Sequence, residues 1–198
     1  MVGCAEPVQP AYSGTTVGLH PGRRTVRRDI LMADAPAHIP ELAEAVHKAA
    51  GQAIRMLYAE HPEDFCLFAL VTSGEGYRPY LAATVHGDDR WDFTLGPYDF
   101  VFDDILARTE EDFAARGELH LMNAADAALE HERRLASLEE ALRRLDADGL
   151  FGTGDDRARV LLLVATMPPD DSDAGFARRL NPRGPLLDTW LDEAAEGV

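Results

Sequence analysis

The run from Leu135 to Thr166, LASLEEALRRLDADGLFGTGDDRARVLLLVAT, constrains the fold more than any other stretch, because a striped helix stops at a glycine and a buried strand follows almost at once. Leu135, Leu138, Leu142 and Leu145 recur at alternating spacings of three and four, so they form one apolar stripe, while Glu139, Glu140, Arg143 and Arg144 lie off it. The pattern predicts a surface helix with one buried face. Gly149 can take the left-handed conformation that closes a helix without a Cβ clash, which sets the helix end near Asp148. Val160 to Val164 is continuously apolar, as suits a strand covered on both faces. The run holds no recognisable catalytic arrangement.

At 198 residues, 46% of them hydrophobic, the chain has the size of one ordinary domain with a real core. No apolar run approaches the ~20 residues of a membrane span. The formal charge is −16 and unevenly placed: residues 1–33 hold four arginines against Glu6 and Asp29, which leaves −18 for the other 165 residues. So acidic a body repels phosphate backbones, which argues against nucleic-acid binding, and attracts a basic partner protein. Excess carboxylates also simply favour solubility. Lys48 is the one lysine against eighteen arginines, so a phosphate-binding Walker lysine is missing. Cys4 and Cys66 look like neither a disulfide nor a zinc pair, and the expected compartment is the reducing cytoplasm.

Residues 1–36 contain Pro7, Pro10, Pro21 and Pro36 without periodicity and read as a disordered or loosely attached extension; Met32 reads as an alternative start. Residues 37–198 read as a single α+β domain. A helix is expected from Ile39 to Leu57, ending before Pro62, then strands from Phe65 to Val71 and from Tyr77 to Val85. A third meander strand is expected at residues 90–95, with Trp91, Phe93 and Leu95 on its buried face. Helices follow: one opened by Pro97 and broken at Gly117, then Leu119 to Leu145 as one helix or two with a kink near Asn123. After the strand at Val160 come a short helix capped by Ser172 and a last one from Leu186 to Ala195. The expected architecture is a mainly antiparallel sheet of about four strands packed against several helices.

Glu44-x-x-His47 has di-iron spacing but lacks the second copy such a site needs, so a surface pair is the better reading. Asp170, Asp171 and Asp173 beside Ser172, just past a strand, resemble a Mg²⁺-binding cluster, but a solvated helix start with acids favoured by the helix dipole is the better reading. His86 with Asp88, Asp89 and Asp92 reads the same way, as a turn first. Gly152-x-Gly154 follows a helix and precedes a strand, the reverse of a dinucleotide fingerprint. No cofactor is expected. Tyr77, Tyr80, Trp91 and Tyr98 flank Arg90 and Asp92 and together form the candidate partner-binding set, since Tyr, Trp and Arg are enriched at binding hot spots, although core packing is the better reading for any single ring.

The stretches FCLFALVTSGEGYRPYLAATV, RLDADGLFGTGDDRARVLLLVAT and ARRLNP, the last with Asn181-Pro182, resemble the bacterial domain family of unknown function catalogued as 4303. The resemblance covers most of residues 38–190 and implies a Trp near the third strand, which Trp91 matches. It implies no activity and no catalytic residue.

The leading reading is a non-enzymatic acidic cytoplasmic binding protein, an immunity-like partner of a basic toxin or effector. The competing classes are an enzyme with an unfamiliar carboxylate or metal site and a small-molecule binding domain.

Overall fold

The computed structural model describes residues 37–87, 90–94 and 96–195. The N-terminal extension, with Cys4 and Met32, lies outside the described residues, as do Asp88, Asp89 and Leu95. The two apolar runs without polar alternation pair at the heart of the sheet. Strand β1 (Phe65–Ser73) is flanked by β2 (Tyr80–Val85) and β3 (Leu161–Met167), in the order β2-β1-β3. It pairs antiparallel with β2 and parallel with β3.

The sheet is therefore three-stranded and mixed, which corrects the expectation of about four mainly antiparallel strands. The physical reason is the connection. Between β2 and β3 the chain passes through α2 (Asp103–Leu106), α3 (Glu110–Ala114) and the long α4 (Ala124–Ala147), and a crossover of that length returns it to the same end of the sheet. The expected third meander strand is not formed by the described residues 90–94. Asp92 instead accepts hydrogen bonds from the Thr94 amide at 3.1 Å and the Thr94 hydroxyl at 2.8 Å, a local turn that breaks an extended path. The β2 edge is met further on: the Ala83 amide donates to the Tyr98 carbonyl and the Val101 amide to the Leu81 carbonyl, both at 3.0 Å.

A register shift between Phe65 and Leu67 places Cys66 and Leu67 on one face of the sheet, together with Ala69 and Val71. Phe65, Phe68 and Leu70 point to the other. The face of Phe65, Phe68 and Leu70 is covered by α1 (Pro40–Glu60) and α4, whose Leu135, Leu138, Leu142 and Leu145 are all buried. Asn123 caps α4, accepting from the Asp126 amide at 3.0 Å, so the expected long helix begins at Ala124 and residues 119–121 form a separate turn. At its other end Asp148 is the C-cap and Gly149 has φ +77°, as the glycine predicts. The second face, that of Cys66, Leu67, Ala69 and Val71, is covered by α5 (Ser172–Leu180) and α6 (Pro185–Glu193), through Ala177, Leu187 and Trp190.

Buried polar side chains tie these layers together. Arg134 of α4, 2% exposed, donates to the Gly76 carbonyl at 3.3 Å, the Gly117 carbonyl at 2.6 Å and Glu130 at 3.2 Å. Gly76 has φ +62°, and a Cβ there would stand 3.0 Å from the His131 ring, so any other residue at this position of the β1–β2 turn is strained. On the far side Asn181 closes the free edge of β3 as a strand would. Its Oδ1 accepts from the Leu162 amide and its Nδ2 donates to the Leu162 carbonyl, both at 2.8 Å. Arg157 is held beside it, donating to the Val160 and Leu180 carbonyls.

Replacing Asn181 by Ala leaves the Leu162 amide and carbonyl without partners, and a buried unpaired polar group costs about 1–3 kcal/mol. N181A is expected to unfold in urea with a stability lower by about 2–4 kcal/mol and an unchanged denaturant slope.

Candidate functional site

The two faces of the sheet are not covered equally. The α5 and α6 helices have nine residues each and leave part of β3 to be roofed by residues 91–94. Between them lies a cleft of about 380 Å³. Its floor is Leu163 and Ala165 of β3, its walls are the rings of Trp91, Phe93 and Trp190, and Met167 and Pro169 stand at the end of the strand. Asp92, Thr94 and Asp173 are its polar groups.

The Trp91 ring is fixed from outside the cleft. Its Nε1 donates to Glu193 of α6 at 2.7 Å, and the Arg90 guanidinium lies 4.7 Å from the ring centre while pairing with the same carboxylate at 3.2 Å. The hydrogen bond from Trp91, with help from Arg90, holds the Glu193 carboxyl below the usual range. Trp91 separates the cleft from a second hollow that Arg90 lines together with His86 and Pro185.

Asp173, in the first turn of α5, is 6% exposed. Its Oδ1 accepts from the Thr166 amide at 3.2 Å and the Thr166 hydroxyl at 3.4 Å. Burial raises its carboxyl to about 7, the nearby Asp170 charge adds to the rise, and the hydrogen bonds from Thr166 oppose it. The other charged group lining the cleft is Asp92, and among the described residues no Lys, Arg or His lines it. Asp170 faces outward and accepts from the Ser172 amide at 2.7 Å.

Of the six residues of the candidate partner-binding set, the fold brings Arg90, Trp91 and Asp92 together and disperses the tyrosines. Tyr77 is exposed and donates to Glu118 at 3.2 Å. Tyr80 stacks on Phe100 at 3.8 Å. Tyr98 is buried, donates to Glu63 at 2.7 Å and meets the Phe65 ring edge-on. Glu44 and His47 form separate helix-surface pairs, with Lys48 and Asp148 respectively. The cleft adds Phe93, Trp190 and Asp173. Asp173 carried a signal in the sequence through its acidic cluster past a strand, and Phe93 through its alternation with Trp91; Trp190 sits in a terminal helix with no local mark.

Among the described residues no three His, Cys, Asp or Glu side chains converge as metal ligands would. The Nε2 of His131 and the Oγ of Ser172 are buried near the same strand ends, each without a hydrogen bond, and no bond joins them. A nucleophile and base held in contact are thus not formed there.

The folded-state value of the Asp173 carboxyl lies above its ordinary one, so the folded protein holds this proton more tightly than the unfolded chain and loses stability as pH rises from about 4 to about 7. Asp173→Asn keeps an acceptor for the Thr166 amide and cannot ionise. In paired urea titrations D173N is expected to match the parent near pH 4 and to be more stable near pH 8 by about 2 kcal/mol, allowing for water on the cleft side of the carboxyl.

No curated protein and no solved structure matches the chain. A family model described as Domain of unknown function (DUF4303) matches residues 90–182, a span that includes Trp91, Phe93, Asp173 and Asn181. The family resemblance read from the sequence is thus shown over this part of the chain, which is similar throughout residues 90–182 to the domain of unknown function DUF4303.

Proposed function

We propose that the protein is a non-enzymatic cytoplasmic binding protein that captures a basic partner, in the manner of an immunity protein for a basic toxin or effector. What supports the reading is the way charge is used. The cations are largely drawn into internal pairs: Arg78 with Asp103 and Glu110, Arg116 and Arg134 with Glu130, Arg157 with Asp146, and Arg143 and Arg179 with Glu139. Arg159 is paired with Asp64. The exposed carboxylates of Asp104, Glu111 and Asp112 then set the outward field around α2 and α3, beside Glu41 at the start of α1. A surface of this kind speeds and orients the approach of a basic protein.

Single exposed pairs add little to stability, so this charge has latitude to serve recognition.

Fluorescence anisotropy with a labelled Arg/Lys-rich peptide and an Asp/Glu-rich peptide of equal length tests the proposal. The basic peptide is expected to bind and to lose about tenfold or more in affinity between ~0.1 M and ~1 M salt, as the screening length falls from about 10 Å to about 3 Å. The double variant E111K/D112K should weaken it further. Equal binding of the two peptides, or binding of the basic one that ignores salt, would contradict the reading.

A further inference from the structure

The cleft on the second face of the sheet has features that long-range attraction does not use. Its volume, about 380 Å³, is in the range of small-molecule sites. Three rings wall it, yet Asp173, an ionisable residue only 6% exposed, lines it with them. Both hydrogen bonds from Thr166 go to Oδ1 of Asp173, which leaves Oδ2 outside that contact. Burying an ionisable group beside apolar walls is costly unless something matches its charge.

We propose that this cleft binds a small organic cation, an ammonium group carried on an apolar body, with Asp173 as its counter-charge and the rings of Trp91, Phe93 and Trp190 around it. The choice of a cation follows from what lines the cleft. An anionic ligand would meet Asp92 and Asp173 with no positive group facing it among the described residues. A neutral apolar ligand would leave the buried carboxyl unmatched. A cation gains both the ion pair and the negative faces of the rings, an attraction that strengthens as water is excluded.

The aromatic wall is already set. Arg90 stacks on Trp91 from the neighbouring hollow, and Glu193 holds the indole N–H, so the ring needs no reordering when a ligand arrives. Binding displaces the proton that the Asp173 carboxyl otherwise holds near neutrality, so affinity rises with pH. Asp170 on the same turn opposes ionisation of Asp173, and a bound cation relieves that repulsion. The site goes beyond the capture of a basic partner and does not depend on it.

The chain has two tryptophans and both line the cleft, so intrinsic fluorescence reads the site directly. The full chain would be titrated with 2-phenylethylammonium, with neutral 2-phenylethanol and with phenylacetate. At about pH 8 the ammonium is expected to give a saturable change with an affinity at least about tenfold above either of the others, and to weaken about tenfold near pH 5. The change should persist at ~1 M salt, where capture of a basic peptide is screened. D173N should lose about tenfold or more in ammonium affinity near pH 8 with its circular dichroism unchanged, and F93L several-fold. Equal binding of the three probes, no saturable change with the ammonium, or undiminished affinity in both variants would overturn the proposal.

Discussion

Burial of the central strand on both faces governs the rest of the molecule. From Phe65 to Val71 no side chain of β1 meets water appreciably, and β3 is the same from Leu161 to Ala165. A sheet with such strands must be covered twice, at ~25 cal/mol for each Å² of apolar surface removed from water. The first cover is generous, with α1 and α4 more than twenty residues long. The second consists of two nine-residue helices and a turn. Where that thinner cover ends, Leu163 and Ala165 become the floor of a cleft.

The polar interior follows one rule and breaks it once. Arg134, Arg157, Glu130 and Glu139 are buried charges, and each is matched by an opposite charge. Arg134 and Arg157 also satisfy carbonyls at turns and strand ends, which is how the connections between layers are held in place. Asp173 is buried to the same degree and has the amide and hydroxyl of Thr166 but no opposite charge. A buried carboxyl without a cation, facing a cavity, is where a ligand's charge would find its complement.

Local features were legible in the sequence because their causes are local. The α4 stripe, its stop at Gly149, the apolar strands and the break at Gly117 each depend on residues within a turn or two of one another. The direction of β3 and the closure of its edge by Asn181 depend on partners far along the chain, for which composition offers no signal. Trp91 and Phe93 alternate as a strand would, but Asp92 binds Thr94 and turns the chain, so alternation alone misled. Half of the candidate partner-binding set converged for the same reason that half did not. Arg90, Trp91 and Asp92 are contiguous and travel together, whereas Tyr77, Tyr80 and Tyr98 lie on separate segments that the fold pulls apart.

The cleft matters only if the carboxyl at its side is dry. A ¹³C NMR titration of the Asp173 side-chain carbon, read in the free protein and again with 2-phenylethylammonium, measures this directly. The midpoint should lie near 7 in the free protein and move to lower pH with the ammonium. A midpoint near the ordinary carboxyl value of ~4 in both would show a water-filled recess with no unmet charge, and the central claim would fail.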